Sequence, residues 1–181
     1  MLRVLLQYFS NLLGKRPMPT LSVGEPAPTF QLTTTIGEHL SLQEALARGP
    51  VLLAFFKVSC PTCQFTFPFL ERLHDQLREQ GVQTWGIVQD KAQDGARFAA
   101  SFGVTFPILV DDPPYKVSRT YGLAYVPSLF LVKPDGRIDI SSDGFCKADL
   151  QAIQQSLALL LSATPPALFL PTERIPEYKP G

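Results

Sequence analysis

The apolar and polar positions along the chain change their period several times, and each change predicts an element. Residues 51–56 form a continuous apolar run with no alternation, which is typical of a strand covered on both faces of a sheet. Over residues 61–80 the apolar side chains recur at helical spacing, and Gly81 ends that pattern. A buried strand followed at once by a long amphipathic helix favours an α/β fold.

Two turn signals predict hairpins before and after this unit. Short apolar pieces at 30–32 and 40–42 are separated by an Ile-Gly-Glu turn, as in a hairpin. The Lys-Pro-Asp-Gly segment at 133–136 is a stronger signal, because proline presets one dihedral angle and glycine permits a positive one. We therefore expect antiparallel strands at 128–132 and 137–140.

The remaining segments alternate between strand and helix patterns. Strands are expected over 82–88 and 107–110, and helices over 95–102, 113–121 and 148–161. The inward face of the helix over 148–161 is expected to hold Leu150, Ile153, Leu157 and Leu160 or Leu161. Ser41 and Glu44 have the spacing of a capping box at the start of another helix. Together these elements predict a central mixed β-sheet flanked by helices on both faces.

The two ends of the chain differ from the middle, so we divide it into residues 1–22, 23–162 and 163–181. In the first part, six apolar residues share one helical face: Leu2, Leu5, Leu6, Phe9, Leu12 and Leu13. We expect a helix packed on its own domain. The alternative is a peripheral membrane anchor helped by Lys15 and Arg16. The part from 163 on is rich in proline, which favours an extended strap.

Composition and charge narrow the class of protein. Hydrophobic residues make up 45% and charged residues 18% of the 181 positions, which excludes a disordered chain and a membrane bundle. Sixteen basic residues balance sixteen acidic ones, so a nucleic-acid partner is not expected. We see no transmembrane stretch and no export signal in the sequence, and we therefore expect a cytoplasmic location.

The Cys-Pro-Thr-Cys segment at 60–63 is the motif that carries chemistry. Cys60 directly follows the buried strand and stands where the long helix begins, and the amides and positive dipole of a helix start stabilise a thiolate. Pro61 suits the first helical position, where its missing donor is not needed. Cys63 lies one turn later on the same face. Such a pair can attack a disulfide with one sulfur and release the product with the other.

Two other interpretations of these cysteines stay open at this point. Two buried cysteines three positions apart can be structural and need no redox role. A zinc site would need two more ligands, for which the candidates are Cys146, His39 and His74. None of these three forms a second paired motif, so a metal is not expected.

Three segments resemble the thioredoxin superfamily, in the order that this family has them. Residues 55–63, with Pro68 five positions after the second cysteine, are similar to its active-site strand and helix. Residues 24–32 resemble the lead-in of the redoxin branch, which includes TlpA-like thiol–disulfide oxidoreductases and AhpC/TSA peroxiredoxins. Residues 121–131 resemble the segment that holds a cis-proline opposite the redox pair. The resemblance covers residues 23–161.

This resemblance implies a thioredoxin-like fold and a role for each matching residue. Cys60 is expected to be the nucleophile and Cys63 the resolving thiol. The peptide bond before Pro127 is expected to be cis, with Val126 offering its backbone to a bound partner. The implied substrate-binding residues are Pro61, Thr62, Val126 and Pro127. No cofactor is implied, because electrons arrive and leave through the cysteines.

Some positions depart from the family patterns and decide between its branches. Peroxiredoxins typically carry a hydroxyl residue three positions before the reactive cysteine, whereas Lys57 stands there relative to Cys60. The glutamate common in TlpA-like proteins is Thr66 here, and the buried aspartate of thioredoxin aligns with Ala54. We therefore predict a thiol–disulfide oxidoreductase that acts on protein or small thiol partners. The alternatives are a peroxiredoxin-like peroxidase that reduces hydroperoxides and a non-enzymatic redox-fold adaptor. The sequence does not indicate an oligomeric state.

Overall fold

Strands and helices alternate along most of the chain in the computed structural model, which describes residues 20–181. The strands are β1 (Gln31–Thr34), β2 (His39–Ser41), β3 (Val51–Phe56), β4 (Gln83–Val88), β5 (Ile108–Val110), β6 (Ser128–Val132), β7 (Ile138–Asp143), β8 (Phe145–Cys146) and β9 (Tyr178–Lys179). The helices are α1 (Leu42–Leu46), α2 (Pro61–Leu77), α3 (Ala92–Phe102), α4 (Lys116–Thr120) and α5 (Lys147–Leu161). The helix predicted near the N-terminus lies outside the described residues.

Seven of these strands form one mixed sheet in the order β2-β1-β5-β4-β3-β6-β7. The central strand β3 runs parallel to β4 and antiparallel to β6. The pair β4–β5 is also parallel, whereas β1–β2, β1–β5 and β6–β7 are antiparallel. Both predicted hairpins are therefore confirmed, and glycines with positive φ, Gly37 and Gly136, occupy their turns. The predicted mixed central sheet is confirmed as well.

Side chains of β3 alternate between two hydrophobic cores, one on each face of the sheet. Leu52, Ala54 and Phe56 pack with apolar residues of α2, α3 and α5. Val51, Leu53 and Phe55 pack on the other face with residues of α1 and α4. All six side chains are fully buried, which explains the absence of alternation in this run. The helices thus cover both faces, as predicted.

Several element boundaries differ from the prediction for identifiable reasons. Helix α3 begins at Ala92 instead of residue 95, because Gly95 lies inside the helix, packed closely against Val88 and Ile108. Helix α4 is shorter than predicted, since Pro113 and Pro114 precede it and proline disfavours the helical conformation of its predecessor. Strand β7 continues to Asp143, where it still pairs with β6.

The structure selects one of two candidate leucines in α5, and the capping box predicted at α1 is wrong. Leu160 does not face inward: its exposed fraction is 45%, whereas its neighbour Leu161 packs partly against the core. Ser41 is the N-cap of α1, but its side chain makes no capping hydrogen bond. Instead its position is fixed by the ladder with Gln31, which leaves the predicted capping box unformed.

The proline-rich segment after α5 is extended, as predicted, but it packs more closely than a loose tail. Leu168 is only 2% exposed and joins the core that contains α2. Farther along, β9 pairs antiparallel with β8. Within residues 20–181, no helix combines the length and the apolar composition needed to span a bilayer. The cytoplasmic location stays a prediction.

Candidate active site

The end of β3 turns directly into α2 and presents the Cys-Pro-Thr-Cys segment at the edge of the sheet. The amide of Cys60 donates to the carbonyl of Lys57 at 3.2 Å, which closes the turn between the two elements. Cys60 is the N-cap of α2 and Pro61 its first residue, where proline is best tolerated. The buried strand and the helix therefore hold the motif from both sides.

Two side chains that the sequence analysis missed brace this turn. The carboxylate of Asp90 accepts from the amide of Val58 at 2.8 Å, and the side-chain amide of Gln64 donates to the carbonyl of Val58 at 2.9 Å. Asp90 comes just after β4, which is parallel to β3. The carboxyl ends of parallel neighbouring strands meet at one edge of a sheet. An acidic residue just after β4 was therefore the sequence signal that could have placed Asp90 beside the motif.

The sulfur of Cys60 is half-buried and lies between a donor and an acceptor. The amide of Cys63 donates to Cys60 Sγ at 3.2 Å, and the Cys60 thiol donates to the carbonyl oxygen of Val126 at 3.3 Å. The amide of Cys63 belongs to the first turn of α2, where backbone donors have no helical partner. The amide of Cys63 and the N-terminal end of α2 therefore both point toward the Cys60 sulfur.

Cys63 has a different environment, although it is only one turn away. Its side chain is fully buried. Burial raises the pKa of the Cys63 thiol well above its usual range, and a hydrogen bond with Cys60 adds to the effect. Cys63 therefore stays a protonated thiol at neutral pH. The two sulfurs thus differ in exposure: Cys60 is half-buried and Cys63 is fully buried.

A cis peptide between Val126 and Pro127 faces the motif, as the resemblance implies. Pro127 is buried and Val126 is half-buried. The segment is held by Ser128, whose hydroxyl lies 2.7 Å from the carbonyl of Tyr125 and 2.8 Å from a carboxylate oxygen of Asp143. This arrangement keeps the Val126 carbonyl beside Cys60.

The two middle residues of the motif have opposite surroundings. Pro61 is exposed. Thr62 is only 9% exposed, because its hydroxyl donates to the carbonyl of Pro180 at 2.7 Å. The proline-rich segment thus reaches the motif, which the sequence did not reveal.

Other candidate residues lie apart from this site or play structural parts. Thr66 is buried, and its hydroxyl donates to the carbonyl of Thr62 at 2.7 Å. Cys146 stands at the start of α5, His39 in β2 beside Thr33, and His74 in α2 against Phe106. Among residues 20–181, no three His, Cys, Asp or Glu side chains are grouped so that they could hold a metal ion.

Sequence comparisons with known proteins place the chain in a family. The profile of the AhpC/TSA family matches residues 23–141. The chain is 30% identical to the thiol-disulfide oxidoreductase ResA of Halalkalibacterium halodurans over 132 residues, 72% of this chain and 73% of that protein.

Solved structures match as well. A Chlorobium tepidum protein provisionally assigned as the thiol:disulfide interchange protein DsbE superposes with a TM-score of 0.70 at 27% identity, covering 78% of this chain and 99% of that one. The thioredoxin domain of a thiol-disulfide oxidoreductase from Bacteroides vulgatus gives a TM-score of 0.68 at 20% identity, covering 76% and 99%. The predicted thioredoxin-like fold is confirmed.

Proposed function

The chain belongs to the AhpC/TSA family and is a thiol–disulfide oxidoreductase, and we propose that Cys60 and Cys63 exchange disulfides with protein partners. The observation that carries the proposal is the position of Cys60 Sγ. This sulfur accepts a hydrogen bond from the amide of Cys63 and donates one to the carbonyl of Val126. A sulfur in this position has a helix-terminal amide directed at it and a backbone edge beside it for a partner to follow.

The exchange has two steps that balance in atoms and electrons. The Cys60 thiolate attacks one sulfur of a partner disulfide, so that a Cys60–partner bond forms, the partner disulfide breaks and one partner thiolate leaves. Cys63 then gives its proton to a partner thiolate and attacks Cys60. A Cys60–Cys63 disulfide forms, the Cys60–partner bond breaks, and the second partner sulfur leaves as a thiolate. The partner gains two electrons and the cysteine pair loses two. The same two steps in the reverse order oxidise a partner dithiol.

The structural surroundings support this division of labour. Cys63 is buried and its thiol has a raised pKa, so it does not compete with Cys60 for the incoming disulfide. Once the mixed disulfide forms, Cys63 lies on the same helical face one turn away and can resolve it. Val126 and Pro127 border the reacting sulfur, which suits them to position the partner.

Trapping the mixed disulfide tests these assignments. The variants are made in a Cys146→Ser background, which removes the third thiol. We expect Cys63→Ser to accumulate a covalent adduct with disulfide-bonded insulin, detected by mass spectrometry without reducing agent. Cys60→Ser should form none, because the attacking sulfur is gone. An equal yield of adduct through Cys63 in the Cys60→Ser variant would contradict the proposal. Hydrogen peroxide consumption lost in Cys60→Ser would favour the peroxidase alternative instead.

A further inference from the structure

The proline-rich segment is attached in two parts, one by a buried leucine and a bidentate ion pair and the other by a short strand pairing at the surface. We call residues 163–181 the strap. Its inner part is held by the buried Leu168 and by Arg72 of α2, whose guanidinium donates to the Leu168 carbonyl at 2.6 Å. The same guanidinium makes two bonds to the carboxylate of Glu173, at 2.7 and 2.9 Å. A bidentate pair of this kind adds geometric specificity, so the inner part is fixed on α2.

The outer part of the strap is held by backbone pairing and by surface side-chain contacts, among them the ion pair between Lys147 Nζ and a carboxylate oxygen of Glu177 at 3.1 Å. It pairs with β8 over two residues on each side, and the amide of Lys147 adds one bond to the carbonyl of Glu177 at 2.9 Å. Tyr178 is 57% exposed. The ammonium of Lys179 lies 5.1 Å from the ring centroid of Phe65. A two-stranded ribbon this short is marginal by itself.

This outer part lies against the Cys-Pro-Thr-Cys motif. The carbonyl of Pro180 accepts from the Thr62 hydroxyl at 2.7 Å. A Cβ added to Gly181 would lie 2.7 Å from the carbonyl oxygen of Val126, the atom that also accepts from Cys60. On the other side, a Cβ added to Gly144 would lie 2.5 Å from the carbonyl of Lys179. The strap therefore fills the space between Thr62, Gly144 and Val126 with no room for a second chain.

We propose that the outer part of the strap is an intramolecular occupant of the partner-binding groove, and that a protein partner reaches the redox pair by displacing it. This inference rests on the proposed function. The surface that the strap covers includes Thr62 and the backbone of Val126, two of the residues assigned to the partner. Cys60 itself stays half-exposed, so small disulfides reach its sulfur while an extended polypeptide meets the strap first.

The covering segment also indicates the chemistry of the partner. Positions 176–181 read Pro-Glu-Tyr-Lys-Pro-Gly, an extended stretch with small or proline residues where it meets Val126. A partner that replaces it is expected to be an extended segment with its cysteine near a glycine or another small residue, because the Cβ distances at Gly181 leave no space for a branched side chain. Backbone pairing with β8 supplies the remaining contacts.

A matched pair of variants at one position tests the strap in the full chain. Lys179→Pro removes an amide from the β8–β9 ladder and with it the outer attachment. Lys179→Ala keeps the amide and loses only the contact with Phe65. We expect Lys179→Pro to reduce insulin about tenfold faster than the wild type, because a larger fraction of molecules is open. Lys179→Ala should stay near the wild type. The rate with Ellman's reagent, a small disulfide, should change less than twofold in both.

The possible outcomes distinguish a failure of the strap proposal from a failure of the proposed function. Equal insulin rates in all three proteins, with exchange intact, would overturn the strap proposal and leave the proposed function standing. Absence of exchange with insulin and with Ellman's reagent in all three would instead remove the proposed function.

A peptide supplied in trans gives an independent readout. A synthetic peptide of residues 172–181 at about 1 mM, the effective concentration of a short flexible link, is expected to slow insulin reduction by Lys179→Pro and to leave the wild type unaffected. A scrambled peptide is the control. Equal effects of the two peptides on Lys179→Pro would count against the strap as a groove occupant.

Discussion

Cys60 and Cys63 are three residues apart, and their surroundings give them different chemistry. Cys60 is the half-buried N-cap of α2, and its sulfur hydrogen-bonds to the amide of Cys63 and to the carbonyl of Val126. Cys63 is inside the core of α2 and its neighbours. The difference comes from helix geometry, because one turn moves a side chain from the end of a helix to the face that packs on the sheet. The two thiols thus differ in exposure in the way that the proposed roles of attack and resolution require.

Alkylation kinetics test this separation residue by residue. At about pH 8, we expect iodoacetamide to modify Cys60 at least about tenfold faster than Cys63, because burial keeps the Cys63 thiol protonated and out of reach. Peptide mass spectrometry of the reduced protein measures both rates in one sample. Cys146, which is half-buried and outside the motif, is the internal reference. Equal rates at Cys60 and Cys63 would contradict the assigned roles.

At the scale of elements, the junction of β3 and α2 is held by parts of the chain that are distant in sequence. Asp90 after β4 fixes the turn at Val58, and β6 brings the cis peptide at Pro127 beside Cys60. The strap crosses α2 and is fixed there by Arg72 and Glu173. The site is therefore assembled from five parts of the chain and is not a property of the motif alone.

The attachment of the strap to α2 is expected to depend on pH. Hydrogen bonds from Arg72 and from the amide of Leu170 lower the pKa of Glu173 from its usual 4.5 to about 2. A carboxylate with a lowered pKa stabilises the folded state above its unfolded pKa and loses that contribution as pH falls through its folded pKa. The strap should therefore be fully attached above pH 4.5 and should loosen between 4.5 and about 2.

The matched variant for this prediction is Glu173→Gln, which keeps the shape and removes the charge. The difference in the free energy of unfolding between wild type and variant should be constant from pH 5 to 8 and should shrink below 4.5. Urea denaturation at a series of pH values measures it. A difference that does not change with pH would show that the ion pair contributes nothing.

At the scale of the whole molecule, one sheet with a core on each face supports the site. The central strand β3 belongs to both cores, since its alternate side chains face opposite helices. The aromatic rings of Phe56, Phe67 and Phe98 pack with centroids 4.3 to 5.0 Å apart between the sheet, α2 and α3. Displacing α2 would therefore disturb both the core and the redox motif at its start.

Two leucine-to-alanine changes measure how much α2 depends on this core. Leu70 in α2 is fully buried, whereas Leu159 in α5 is 82% exposed. We expect Leu70→Ala to lower the free energy of unfolding by about 2–5 kcal/mol, because it removes buried methyl groups and leaves a cavity. Leu159→Ala should change it by less than about 0.5 kcal/mol. Similar values for both in urea denaturation would show that α2 is not part of the main core.

The sequence alone determined the elements whose signals are local. The continuous apolar run predicted β3, and turn residues located both hairpins. The helical spacing predicted α2, which is followed by a 3₁₀ turn (Arg78–Gln80) that ends at Gly81. It also supplied the cysteine pair at the start of α2, and the family resemblance supplied Pro127. These features depend on residues that are close in the chain, where the period of apolar positions and the conformational limits of glycine and proline act directly.

Only the tertiary structure decided which distant groups meet at the motif. Asp90 is 32 positions from Val58, and Pro180 is 118 positions from Thr62. Packing placed Leu161 and not Leu160 toward the core, and Ser41 left its cap unformed because strand pairing outweighs local preference. The pattern of apolar positions indicates which face of each segment is buried, but it does not indicate which other segment packs on that face. That choice depends on the free energy of the whole packed molecule, and here it placed the strap over the redox pair.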